Sequence, residues 1–220
     1  MDIKSAVILI TSAGSQLGST LAMHFASFDG IVIICDTNAK QLNDTFTRCK
    51  KISSNIYQHA MNDHSLGSIN SLFEFIEQSV HQSPDVLINA ITSQTMPKFF
   101  DERASDIFTQ HLSLMAATLF TFGQATAEKM RQDKKNGVIV NVIAHADYSD
   151  MSGFENATSM VAGFTQSWAK ELNPFNIRVG GVVPCYEQSN IHWAKIREDL
   201  IRNTEYIVSN DYFSGRVMAA

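Results

Sequence analysis

Short apolar runs alternate along this chain with longer stretches in which apolar residues recur every three or four positions. Residues 7–10, 31–35, 56–60, 85–89, 138–143 and 178–183 read as strands. Leu17, Leu21, Phe25 and Phe28 fall on one helical face. Residues 40–51 read as a polar helix, and Ile69, Leu72, Phe73, Ile76 and Val80 mark the next. Phe108, Leu112, Met115, Leu119 and Phe122 step by four and three inside a long helix over 104–131. Val161, Phe164, Trp168 and Leu172 mark another, which Pro174 ends. Strands alternating with helices predict βαβ units with right-handed crossovers. The expected fold is α/β, one doubly wound, mainly parallel sheet with helices on both faces, spanning residues 1–220 as a single domain. Ligands of such sheets bind beyond the carboxyl ends of the strands. The loops that matter therefore follow Ile10, Cys35, Ile88, Ile143 and Val183.

The first of these loops carries the clearest chemistry. In VILITSAGSQLG, residues 7–18, a buried strand runs through a small polar turn into a helix. That arrangement presents backbone N–H groups and a helix N-terminus to a phosphate. A dinucleotide fingerprint wants three glycines here, and only Gly18 stands at one of those places. Asp36 closes the second strand, 18 residues after Gly18. A carboxylate there accepts hydrogen bonds from an adenosine ribose and repels a 2′-phosphate, which favours NAD over NADP. The competing reading is an aspartate that caps the following helix.

Composition narrows the classes. The 220 residues suit one domain with a sizeable core. A net charge of −5 argues against a nucleic-acid or anionic-membrane surface. No apolar run reaches transmembrane length, and the N-terminus enters a strand without a secretory pattern. Cys35, Cys49 and Cys185 show no metal or redox spacing, so reduced thiols in a cytoplasmic protein are expected.

Six segments then match one family in order. TSAGSQLG at 11–18 stands where short-chain dehydrogenases/reductases have TGxxxGxG. DVLINA at 85–90 resembles DVLVNNAG, and GVIVNV at 137–142 resembles GrIvNiSS. GFTQSWAKEL at 163–172 resembles GltkSLAkEL, IRVGGVVP at 177–184 resembles IRVNavaPG, and SNDYFSGRV at 209–217 resembles SdxaxxiTGqv. The resemblance implies a Rossmann-type fold, an NAD or NADP cofactor and hydride transfer between carbonyl and alcohol. Mapped by position, it offers Thr11, Ser12, Ser15, Gln16, Leu17, Gly18, Asp36, Asn89 and Ala90 as cofactor-binding residues.

Departures from the family pattern are as informative. Ser12 and Gln16 replace the first and middle glycines. Ser12 fits the turn if its φ is negative, whereas Gln16 puts a side chain where backbone approaches pyrophosphate. Its amide could instead donate to a phosphate. Ala60 stands for the aspartate that meets adenine, and Ile91 and Thr92 replace the end of the NNAG loop. The family works with Asn, Ser, Tyr and Lys. Here those positions fall on His111, Ala144, Phe154 and Thr158, with the loop before Phe154 about three residues short. A phenol of ordinary pKa near ~10 needs the lysine cation to work at neutrality, and neither is present. The catalytic residues are therefore unknown. His145, Asp147 and Tyr148 are alternative acid/base candidates, and Cys185 has no evident base. Residues 186–205 are expected to span from the sixth strand to the last helix, a shortened substrate cover. Met115, Leu119, Phe122, Phe164 and Trp168 are either core or the family's helix-pairing interface in a dimer or tetramer. Two functions follow: a catalytically silent or impaired relative that acts as a binding or regulatory module, or an NAD(P)-dependent oxidoreductase with non-standard groups.

Overall fold

The computed structural model describes residues 1–146, 150–185 and 193–220. Seven strands form one parallel sheet in the order β3-β2-β1-β4-β5-β6-β7. They are β1 (Val7–Ile10), β2 (Ile31–Asp36), β3 (Ile56–Ala60), β4 (Val86–Ser93), β5 (Val138–His145), β6 (Arg178–Val183) and β7 (Arg216–Ala219). The helices are α1 (Gln16–Ala26), α2 (Ala39–Lys50), α3 (Leu66–Val80), α4 (Ala104–Gln132), α5 (Phe154–Leu172) and α6 (Trp193–Ser209). The chain reverses direction across the sheet between β1 and β4, which places a ligand crevice above that junction.

The central strands are buried on both faces, so they read as continuous apolar runs rather than alternating ones. Ile8, Ile10, Ile88, Val140 and Val142 pack on the side of α1, α2 and α6. Leu9, Ile33, Leu87, Ile139 and Ile143 pack on the side of α3, α4 and α5. Each such side chain, removed from water, contributes about 1.5–3 kcal/mol. Two glycines are required by close approach. A Cβ on Gly18 would lie 2.2 Å from the Ser12 carbonyl oxygen, and one on Gly123 would lie 2.6 Å from the Trp168 ring.

Three expectations need correction. β4 and β5 run on to Ser93 and His145, because Ile91 and Ile143 continue the buried pattern and the strands stay paired to their ends. A seventh strand, β7, lies parallel to β6, where the sequence pattern predicts six strands and residues 209–217 carry only a family resemblance. The last helix begins at Trp193, because residues 193–209 carry an apolar face that packs Ile196, Leu200 and Ile207 on the sheet. The connection from β6 is therefore shorter than residues 186–205, and its residues 186–192 lie outside the described residues. Of the residues read as core or interface, Met115, Leu119, Phe122 and Trp168 are buried in this chain's own core, and Phe164 is partly buried against it.

Two predictions follow from this packing. Gly18→Ala should destabilise the protein by about 3 kcal/mol, since backbone cannot yield as a side chain does. A lower urea midpoint at unchanged slope would show it. Cys35 and Cys49 are buried and Cys185 is exposed. Burial pushes the Cys49 thiol up to about 11 and Cys35 higher still. A thiol reagent should therefore label one cysteine rapidly in the native protein and all three after denaturation.

Candidate functional site

The loop after β1 is held from three sides. Thr11 is buried, and its hydroxyl donates to Asn89 Oδ1 (3.2 Å) and accepts the Ala90 N–H (3.0 Å). Asn89 in turn donates through Nδ2 to the Leu119 carbonyl of α4 (3.0 Å). These bonds fasten β1 to β4 at the point where the sheet changes direction. From α2, the buried Thr45 hydroxyl donates to the Ala13 carbonyl (2.9 Å). From β2, Asp36 Oδ2 accepts the Gly14 N–H (2.8 Å), while its Oδ1 accepts the Asn38 N–H (2.7 Å). The helix cap after Asp36 is Asn38, whose side chain accepts the Gln41 N–H. Asp36 thus ties two loops together rather than capping α2 itself.

Ser12 takes φ +48°, the left-handed conformation that the family's glycine would supply, so the negative φ expected of it is not adopted. A side chain in that region stores about 1 kcal/mol or more of strain. The turn closes through Ser15 N–H to Ser12 O (3.0 Å), and Ser15 Oγ then accepts the Gly18 N–H (3.0 Å) as N-cap of α1. Leu17 is buried against the core, and Gln16 is exposed at the first position of the helix. Among the nine expected cofactor residues, Ser12, Ser15, Gln16, Gly18 and Asp36 surround the open end of α1. Thr11, Leu17, Asn89 and Ala90 support that end from beneath. Ala60 ends β3 exposed, and Met61 behind it is buried.

The other half of the crevice, above β4 and β5, is built differently. Ser93 and His145 are register partners, and Ala146 N–H continues the ladder to Ser93 O (2.9 Å). Beyond them the two following loops are joined directly. Met96 N–H donates to Ser152 O (2.9 Å), and Thr95 Oγ1 donates to Asp150 O (3.2 Å). Asp150 is held charged below the usual carboxylate range by bonds from the Ser152 hydroxyl and N–H. Gly153, at φ +68°, lets Met96 approach so closely that a Cβ there would lie 2.5 Å from Met96 Cβ. Phe154 opens α5 and is fully buried, with its ring edge-on to His145 at 5.1 Å. Thr158 donates to its own helix, to Glu155 O (3.1 Å). Ala144 pairs with Thr92 and is 3% exposed.

Among the other acid/base candidates, His145 is buried, and Asp147 and Tyr148 lie outside the described residues. His111 faces the sheet from α4 with Nδ1 buried and no hydrogen-bond partner among the described residues, as is also true of Ser93 Oγ. Ser93 and Met96 escaped sequence reasoning. Continuation of the buried pattern past Ile91 could have shown Ser93, but nothing in the sequence marks Met96. Cys185 is exposed, and its N–H donates to the Ala220 carbonyl. Among the described residues, no three His, Cys, Asp or Glu side chains group as a metal site, and no helix is long and apolar enough to cross a membrane.

Replacing Asp36 by alanine strips acceptors from the Gly14 and Asn38 N–H groups. A charge-assisted bond contributes about 1.5–3 kcal/mol, so Asp36→Ala should destabilise the fold by about 2 kcal/mol. Denaturant titration checks this, with Asp36→Asn losing less.

Comparison with known proteins agrees with this geometry. The family model described as short chain dehydrogenase matches residues 6–200. A 7alpha-hydroxysteroid dehydrogenase from Escherichia coli is 25% identical over 179 residues, covering 80% of this chain and 69% of that protein. A short-chain type dehydrogenase/reductase from Mycobacterium marinum superposes with a TM-score of 0.83 at 16% identity, covering 99% of this chain and 96% of that one. A 7alpha-hydroxysteroid dehydrogenase complexed with NADH and 7-oxo glycochenodeoxycholic acid gives 0.79 at 18% identity, covering 100% and 95%.

Proposed function

The chain belongs to the short-chain dehydrogenase family, and we propose that it binds NAD(H) but lacks the family's tyrosine–lysine proton transfer, acting as a binding or regulatory module. The observation that carries this reading is Phe154. At the place the resemblance assigns to the proton-donating phenol stands a hydrocarbon ring, fully buried. Thr158, at the lysine's place, supplies no charge and spends its hydroxyl on Glu155 O.

The residues present fit the adenosine half of the cofactor. Two of the roughly four lone-pair positions of the Asp36 carboxylate are used by Gly14 and Asn38, which leaves capacity for ribose hydroxyls. The first-turn N–H groups of α1 point out of the helix end, where a phosphate is favoured. Thr37 and Asn38, beside Asp36, are exposed and uncharged, so nothing next to the carboxylate offsets its repulsion of a 2′-phosphate. This favours NAD(H) over NADP(H). Bound NAD(H) supplies a hydride donor or acceptor. The chain's own contribution is to bind the ribose and pyrophosphate through Asp36, Ser12, Ser15, Gln16 and Gly18.

One observation favours the second reading, an oxidoreductase with non-standard groups. Ser93 Oγ, at the end of β4, and His111 Nδ1, on α4, are buried without partners among the described residues. On that reading His111→Ala or His145→Ala abolishes turnover. We also infer a homodimer or tetramer. The outer faces of α4 and α5 form a groove of about 310 Å³ walled by Phe120, Trp168 and Phe175, which a second copy would cover. The unpaired cysteines favour the cytoplasm.

Calorimetric titration tests the central reading. NADH should bind with a Kd of roughly micromolar order, NADPH at least about tenfold more weakly, and Asp36→Ala should weaken NADH once shown to be folded. No heat from any cofactor at millimolar concentration would reject it. The double variant Phe154→Tyr with Thr158→Lys should show no robust turnover with simple carbonyl substrates and NADH. Strong activity would mean that the rest of a standard catalytic site is intact.

A further inference from the structure

A dinucleotide on this fold spans two half-sites, one over β1, β2 and β3 and one over β4, β5 and β6. The two halves of this crevice differ in kind. The first is open: Gln16 is exposed, and Ser12, Gly14 and Ser15 are half-buried. Among the described residues, the second is filled by the chain's own side chains. Ser93 is 0%, Met96 2%, Ala144 3%, His145 4% and Phe154 0% exposed.

The filling has a mechanical cause. The loop joining β5 to α5 is drawn onto the loop after β4 by the bonds Met96 N–H to Ser152 O and Thr95 Oγ1 to Asp150 O. Ser152 also donates its own N–H and hydroxyl to Asp150 Oδ1 (3.1 and 2.6 Å), which stiffens the bridging turn. Gly153 takes the left-handed conformation that ends this turn, with Met96 against its backbone. Met96 then joins the core with Ile91, Met115 and Phe154. Opening a ring-sized space there would break two interloop hydrogen bonds and expose a buried methionine and a buried phenylalanine. Exposing either side chain to water opposes that opening.

We propose that the nucleotide site of this protein recognises adenosine diphosphate compounds through the half-site at Asp36 and the β1–α1 loop, and that the nicotinamide end of NAD(H) gains no site above β4 and β5. This rests on the reading of an NAD(H)-binding protein and narrows its ligand class to adenosine 5′-diphosphate with or without a second ribose. A dinucleotide is then one carrier of the recognised group among others. ADP-ribose and ADP are recognised as well as NADH is.

The test is competition calorimetry on the full chain with NADH, ADP-ribose, ADP and nicotinamide mononucleotide, together with the emission of added NADH. ADP-ribose should bind within about threefold of NADH, the mononucleotide should give no heat at millimolar concentration, and NADH should keep the emission of the free compound. Met96→Ala should leave the NADH to ADP-ribose ratio within the same factor, because Phe154 and the loop bridge remain. NADH binding tenfold or more tightly than ADP-ribose, or a blue-shifted and enhanced emission, would overturn the inference while leaving the NAD(H) reading intact. Absence of binding by all four compounds would remove both.

Discussion

One carboxylate sets the shape of the crevice. Asp36 stands at the end of β2 and accepts N–H groups from the β1–α1 loop and from the start of α2. Without it, the Gly14 N–H would lose its acceptor, and the left-handed turn at Ser12 would lose one of its supports. Thr45 and Thr11 hold the same loop from α2 and β4, so three elements over-determine a conformation that a serine would not adopt alone. Strain of this kind persists only where its surroundings insist on it. Here they insist on a loop that keeps the helix end of α1 clear.

The opposite half of the sheet end shows the reverse economy. There the β4 and β5 loops bond to each other, and apolar side chains occupy the space between them. Phe154 belongs to that packing as much as to any catalytic scheme. A tyrosine at 154 would bury a hydroxyl beside His145 and Met96, where an unmatched hydroxyl is costly. Ala144, Phe154 and Thr158 are thus mutually consistent: each is apolar or bonded within its own helix.

The fold was legible because parallel strands buried on both faces must be apolar throughout, and their spacing leaves room for one helix each. Boundaries were less legible. Strands β4 and β5 extend past Asn89 and Ile143 through residues such as Thr92 and Ser93, whose burial depends on pairing rather than on their own polarity. The role of Asp36 was half visible. Its position suggested a ribose partner, but its bonds to Gly14 and Asn38 arise from loop geometry that no spacing encodes. The sign of φ at Ser12 was likewise set by the tertiary ties at Ala13 and Gly14, against the residue's own preference. Met96 carried no local signal at all, since its N–H meets the Ser152 carbonyl of a loop more than fifty residues away in the chain.

The most direct measurement is amide chemical-shift mapping of the isotopically labelled protein as NADH is added. Shifts should concentrate at residues 12–18 and around Asp36 and stay absent at residues 91–96 and 152–158. No shift in the β1–α1 loop, or shifts of equal size at Ser93, Met96 and Phe154, would contradict the division of this crevice into an open nucleotide half and a half closed by its own side chains.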